Sequence, residues 1–252
     1  MSALIEAEGV GKAFGGLQAL TDCSLSVAEG SVSGLIGPNG SGKTTLFNLM
    51  TGYERASRGE IRLGGESITR ATPERVFALG VGRTFQITRL FFRLTVLENM
   101  LVATQRHEGW LRSVLRVAGS AAERVRALEL LEFVGLSGLA ARPAGELSYG
   151  QRKLLELATL LVADPAVLLL DEPTAGVNPT LINQLTERIR ELNRAGKTFL
   201  VVEHNMEFVM GLCHQVTVLH QGRTLLTGTP EQVRADPAVL DAYLGGADDD
   251  DL

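Results

Sequence analysis

Only two cysteines, Cys23 and Cys213, occur in the 252 residues. They lie far apart without metal-ligand spacing, so both are expected to be buried apolar side chains in a reducing compartment. No apolar run approaches the ~18 residues that a membrane-spanning helix needs; "AVLLL" and "FLVV" are among the longest. The opening "MSALIEAEGV" has neither a basic n-region nor an apolar h-region, so no secretory leader and no membrane span are expected. A basic block is missing as well: 24 Lys and Arg against 29 Asp and Glu leave a net charge of −5, and no nucleic-acid partner is expected. No linker, repeat or low-complexity run interrupts the chain before the terminal "ADDDDL", whose acids read as a solvated tail over 247–252.

What is present is enough apolar sequence for a sizeable core, 45% of residues, in one large domain. Short apolar strands alternate with helical patterns: "LIEAEGV", "CSLSV" and "VSGLI" come early, "AVLLL", "TFLVV" and "QVTVL" late. That alternation is the mark of an α/β fold. From about Leu90 to Ala163 the periodicity is helical throughout, as in "AAERVRALELLEFVGL". The expected organisation is therefore a sheet core from 1–89 and 164–246 with a helical subdomain, 90–163, inserted into it.

The strand "VSGLI" runs into "GPNGSGKTT", which is Gly37, Pro38, Asn39, Gly40, Ser41, Gly42, Lys43, Thr44 and Thr45, and a helical pattern follows. This is G-x-x-x-x-G-K-[ST] in the context it requires. Glycines let such a loop curl so that backbone N–H groups face phosphate oxygens, with the lysine reaching the β/γ-phosphates and Thr44 able to hold Mg²⁺. A second strand, "AVLLL", ends on Asp171 and Glu172. In a P-loop core that position suits an Asp in the Mg²⁺ shell and a Glu acting as general base on the attacking water. His204 ends another strand, "TFLVVEH", where ligands bind in open α/β sheets. Ser148, in "ELSYGQRKLLELATLL", reads as the N-cap of a helix.

With "GPNGSGKTT", Gln86 in "GRTFQ", "LSYGQ", "LLLDEP" and His204 in that order, the chain resembles the ATP-binding subunits of ABC transporters over nearly all its length. The resemblance implies a P-loop NTPase (RecA-like) core with N-terminal antiparallel β strands and an inserted helical subdomain, and ATP and Mg²⁺ as cofactors. It implies that Phe14 stacks on adenine, and that Gln86 touches Mg²⁺ and the water and senses the membrane partner. It makes His204 the γ-phosphate switch, and makes Ser148, Tyr149, Gly150 and Gln151 the signature that meets ATP held by a second subunit. Implied partners are an identical or sister ATPase, transmembrane permease subunits and, indirectly, a periplasmic binding protein, at the cytoplasmic face of the cell membrane.

Two departures stand out. Tyr149 replaces the first glycine of LSGGQ, so its side chain has to point away from phosphate, and Asn178 stands where many members carry aspartate. With "TRLFFRLTVLENMLVA" and the long C-terminal stretch from "EHNMEFV" to "DAYLG", the chain is similar to the ATPases of branched-chain amino-acid importers. ATPases for urea or amide uptake, for lipopolysaccharide export, or in non-transport ABC proteins remain the alternatives. Within Thr88 to Asn99, one of the adjacent Phe91 and Phe92 is expected to face outward in a groove for a permease helix.

Overall fold

The computed structural model describes residues 3–84, 90–104 and 120–244. Gln86 and the 247–252 tail lie outside the described residues. The chain opens with two long strands, β1 (Ala3–Phe14) and β2 (Leu17–Ala28), paired antiparallel around a Gly15-Gly16 turn in which Gly15 takes φ 57°. Strand β3 (Val32–Ile36) is buried along its length and leads into α1 (Lys43–Met50). Then come β4 (Arg58–Leu63), β5 (Glu66–Ser67), α2 (Pro73–Ala78) and β6 (Val81–Arg83). These three strands are short or half-polar, and their sequence pattern does not stand out from loop; pairing of β4 with β1, of β5 with β4 and of β6 with a later strand makes them strands.

Among the described residues from 90 to 163 there are three α-helices, α3 (Val96–Thr104), α4 (Ala121–Phe133) and α5 (Tyr149–Leu161), and no strand beyond an isolated bridge, Thr95 to Pro143. Ser120 and Glu123 close a capping box at the start of α4. Next are β7 (Val167–Asp171), α6 (Pro179–Arg194), β8 (Thr198–Val202), α7 (Met206–Leu212), β9 (Gln215–His220), β10 (Arg223–Gly228), α8 (Pro230–Ala235) and α9 (Pro237–Leu244). Asn178 caps α6 by accepting from the Leu181 N–H at 3.0 Å, and Pro179 follows in the first turn, where its missing N–H costs nothing.

All ten strands form one sheet in the order β5-β4-β1-β2-β10-β9-β3-β8-β7-β6. Its β9-β3-β8-β7-β6 half is parallel, and every residue of β3, β7 and β8 is buried, as expected of strands covered on both faces. The strand order puts β8 between β3 and β7. Leu35 pairs with Val202 and Asp171 with Val202, so the C-terminal ends of all three strands lie at one level. Two apolar cores sandwich the sheet. One, with Phe47, Leu46 and Met50 of α1, fills the space beneath β1 and β2. The other joins α3, α4 and α5 to α6, α7 and the opposite sheet face, so the helical segment shares a continuous core with the rest. Phe47 is fully buried, and truncating such a side chain to alanine costs roughly 3–5 kcal/mol. Both cysteines are buried, and burial pushes their thiols up, Cys23 to about 11 and Cys213 to about 12.

Candidate nucleotide site

Strand β3 ends at Ile36, and the loop from Gly37 to α1 can form only because of its glycines. A Cβ on Gly37 would lie 2.1 Å from the Leu219 carbonyl oxygen, whereas one on Gly40, at φ 74°, would meet nothing within 4 Å. The first is a packing requirement; the second is a requirement of backbone shape alone. Gly42, at φ 103°, is the N-cap of α1 and supplies no side-chain acceptor to the first-turn N–H groups, which are the groups an anion would use. Lys43 Nζ donates to the carbonyls of Gly37 (2.8 Å) and Pro38 (2.9 Å), lying across the loop. Burial pushes its ammonium below the usual lysine range, and the negative charges of Glu172 and Asp171 oppose that shift. Thr44 is exposed in the first turn of α1, while Thr45 is half-buried.

Asp171 ends β7, and burial raises its carboxyl while the Arg83 charge and hydrogen bond lower it. Its Oδ2 accepts from Arg83 Nη2 at 3.2 Å, and its own N–H donates to Thr84 Oγ1 at 3.0 Å. Glu172, half-buried, sits at φ 45°, a conformation uncommon for a residue with a Cβ. Its N–H donates to the Val202 carbonyl at 2.9 Å, which fastens it to the end of β8. His204 leaves that same strand end exposed, with Nδ1 3.9 Å from Glu172 Oε1. Lys43, Asp171, Glu172 and His204 are thus brought together from three neighbouring strand ends.

Mg²⁺ keeps several waters and is usually bound through one or two carboxylates plus substrate phosphates. A hydroxyl from Thr44 and a carboxylate from Asp171 are donors of that kind, and no cluster of three or more His, Cys, Asp or Glu that could cage a metal occurs among the described residues. Arg83 engages Oδ2 of Asp171, and none of the described hydrogen bonds uses Oδ1. The donor set therefore fits Mg²⁺ held jointly with a nucleotide. Phe14 is 45% exposed near the hairpin turn, with Lys12 Nζ 4.6 Å from its ring centroid and Lys12 paired to Glu54 at 2.8 Å.

The helix start at Ser148 is built differently. The Ser148 N–H donates to Gln151 Oε1 (2.9 Å) and the Gln151 N–H donates to Ser148 Oγ (3.3 Å), a closed capping box. The Ser148 hydroxyl still has its own hydrogen to donate and lies at the surface. Tyr149 is turned aside, its ring within 3.2 Å of where a Cβ on Gly176 would be. A Cβ on Gly150 would come 2.3 Å from Leu181 Cδ1, so any side chain here would have to displace the end of Leu181 where α5 meets α6. The hydrogen bonds of Ser148 and Gln151 go to each other rather than to the chain's own phosphate loop.

A model for ABC transporters matches residues 20–175. The chain belongs to the ABC transporter family. A second model, described as a branched-chain amino acid ATP-binding cassette transporter, matches residues 223–249 of this cassette. Over 251 residues the cassette is 41% identical to the high-affinity branched-chain amino acid transport ATP-binding protein BraF of Pseudomonas aeruginosa, covering 97% of this chain and 98% of that one. Among solved structures it is similar to the ADP conformation of an ATP-binding cassette of an ABC transporter (TM-score 0.88, 35% identity, 97% of this chain and 100% of that one). It also resembles a dimeric cassette in a post-hydrolysis state bound to ADP and Pi (TM-score 0.77, 25% identity, 90% and 98% of the two chains). The α/β architecture with its P-loop core is that of ABC ATPases, a family of ATP-binding and ATP-hydrolysing transporter subunits.

Three features of the site were not expected from sequence. Arg83 joins Asp171 to the end of α1, donating from Nη1 to Asn48 Oδ1 (2.7 Å) and Thr51 Oγ1 (2.9 Å). Thr84 and Glu203 are the others, both polar and both buried. An arginine or glutamate at the edge of an apolar strand was the available signal, but Asp171, bonded by Arg83, and Thr174, bonded to Glu203, lie 88 and 29 residues away. One expectation needs correction: Phe91 and Phe92 are both exposed, at 56% and 48%, on a loop whose backbone is tied down at Phe91 by Asn99 and at the Phe92 carbonyl by the Gly145 N–H, with both rings left outside.

Proposed function

We propose that this chain is the ATP-hydrolysing subunit of an importer for branched-chain amino acids or related small solutes. It would act at the cytoplasmic face of the cell membrane, paired with itself or a sister ATPase and docked on permease subunits served by a periplasmic binding protein. Among the described residues no helix is long and apolar enough to cross a membrane. The observation that carries the reading is the meeting of Lys43, Asp171, Glu172 and His204 at the ends of β3, β7 and β8. The name of the Pseudomonas relative and the match over 223–249 support the cargo class.

In this reading the loop from Gly37 to Thr45 cradles the phosphates and Lys43 swings from its loop carbonyls to the β/γ-phosphates. Glu172 takes a proton from the attacking water, His204 bonds the γ-phosphate, and Phe14 stacks on the base. Thr44 and Asp171, with Gln86, would hold Mg²⁺, which supplies neutralisation of phosphate charge. Ser148 and the first turn of α5, Tyr149 to Gln151, present a hydroxyl and a helix N-terminus to ATP on the partner, an anion site by construction. The dimeric post-hydrolysis cassette supports a two-chain arrangement.

Reconstitution of the chain with its genomic neighbours in vesicles, followed by uptake of labelled leucine driven by ATP, tests the assignment. Leucine uptake that needs Glu172 supports it. Uptake of urea or amides instead, or export of a lipid, overturns the cargo and leaves the ATPase; no ATP turnover overturns both.

A further inference from the structure

Glu203 lies one residue before His204 and is wholly buried, at 0% exposure. Its carboxylate accepts four hydrogen bonds. Oε1 accepts from the Thr174 N–H at 2.7 Å and from the Thr174 hydroxyl at 2.6 Å. Oε2 accepts from the N–H groups of His204 at 3.0 Å and Asn205 at 3.2 Å. The His204 ring lies beside it as well, with Nδ1 3.9 Å from Oε2. A buried carboxylate needs compensation, and here the hydrogen-bond donors come wholly from two short segments. One is Thr174, two residues beyond Glu172; the other is the pair that begins with His204. The Glu172 N–H to Val202 carbonyl bond joins the same two segments a few residues away.

We propose that Glu203 is a positioning residue, whose carboxylate clamps the loop after Glu172 to the loop that carries His204 and so fixes the distance between those two side chains. The proposal rests on the reading of Glu172 and His204 as the hydrolytic pair. The chemistry calls for a carboxylate rather than an amide: four donors converge on two oxygens, and a glutamine would turn an NH₂ group toward one pair of them. Thr174 also begins the turn that continues through Gly176, against which Tyr149 packs, so the clamp reaches the start of α5 as well.

The test uses the full-length chain with Glu203→Gln, Thr174→Val and Thr174→Ser. Each is measured for affinity toward a fluorescent ATP analogue, kcat per folded molecule at saturating ATP, and the ring resonance of His204, assigned by its loss in His204→Ala. Displacing catalytic groups by fractions of an ångström to 1 Å costs up to about 100-fold. We expect Glu203→Gln to lower kcat by about 100-fold and Thr174→Val by about tenfold, with nucleotide affinity held within about threefold. The His204 resonance should shift in both, and Thr174→Ser, which keeps both donors, should restore what Thr174→Val loses. Unchanged kcat per folded molecule in Glu203→Gln, with only a lower melting temperature, overturns the proposal. So does a parallel loss of affinity and kcat, which marks a general structural defect. A wild-type chain without ATP turnover overturns the functional reading instead, and the His204 resonance alone then decides whether Glu203 positions that ring.

Discussion

Arg83 reaches Asp171 from the last residue of β6: its Nη2 donates to Oδ2 across 3.2 Å, with the two side chains only 9% and 6% exposed. The same guanidinium bonds Asn48 and Thr51 near the end of α1 and lies 4.9 Å from the Phe47 ring centroid. One side chain therefore ties the helix behind the phosphate loop to the strand carrying the acid pair. Arg83→Met leaves Asp171 buried without its cation and should lower unfolding free energy by roughly 3–5 kcal/mol, read from urea denaturation. Arg83→Lys should recover part of that, because an ammonium keeps the charge but not the fork. A loss below about 1 kcal/mol in Arg83→Met would mean the pair behaves as an exposed one.

Lys43→Ala and Glu172→Gln should separate binding from chemistry. The first removes a phosphate contact and should weaken ATP binding at least about tenfold; the second should leave affinity within a factor of about two and lower turnover by roughly 100- to 10,000-fold, the range for a lost general base. Equilibrium titration and phosphate release measure the two. Equal loss of affinity in both variants contradicts the assigned roles.

Ser148 tests the shared site. In a two-fold dimer whose sites each combine one phosphate loop with the other chain's α5 start, Lys43→Ala and Ser148→Arg proteins are inactive alone. Mixed in equal amounts they should regain about a quarter of wild-type turnover, because half the dimers are mixed and each has one intact site. Sites built within one chain would regain nothing. Adding Glu172→Gln to both and counting trapped ATP, one per mixed dimer if the site is shared, removes the effect of coupling between sites.

The groove beside Phe91 is lined by Phe77, Arg83, Leu90, Asn99 and Glu156 among others and has a volume of about 300 Å³. Arg83 thus lies at once in this groove and against Asp171. Phe91→Asp, at an exposed position, should change stability by no more than about 0.5 kcal/mol and leave ATP turnover of the isolated chain intact, while abolishing ATP-driven uptake in the reconstituted transporter. Collapse of the soluble turnover would instead make Phe91 part of the core.

The thiols supply a pH prediction. Cys23 and Cys213 titrate normally near 9.0 but near 11 and 12 in the fold, so the folded pKa is the higher one. Stability from the neutral thiols is complete below pH 9 and is lost as pH rises through the folded values. At pH 8 neither should react with a thiol reagent in the native chain, and both should react in urea. Rapid labelling of the native protein would show that the sites open.

Legibility in the sequence tracked the range of the interaction. The phosphate loop, the six apolar strands, the Ser148 helix start and the acid pair at the end of β7 are written in consecutive residues, because backbone curl, capping and burial periodicity are local. Strands β4, β5, β6 and β10 are not, since an edge or half-exposed strand is made by its neighbour and not by its own pattern. Nor did local pattern show that Phe91 and Phe92 are both exposed, on a backbone tied to Asn99 and to Gly145, the latter more than fifty residues later. Local pattern placed Lys43 at a helix start and Asp171, Glu172 and His204 at the ends of apolar strands. Their meeting belongs to the tertiary order: β8 lies between β3 and β7, and β6 lies against β7, so Glu203 and Arg83 find partners 29 and 88 residues away, at separations that no local pattern spans.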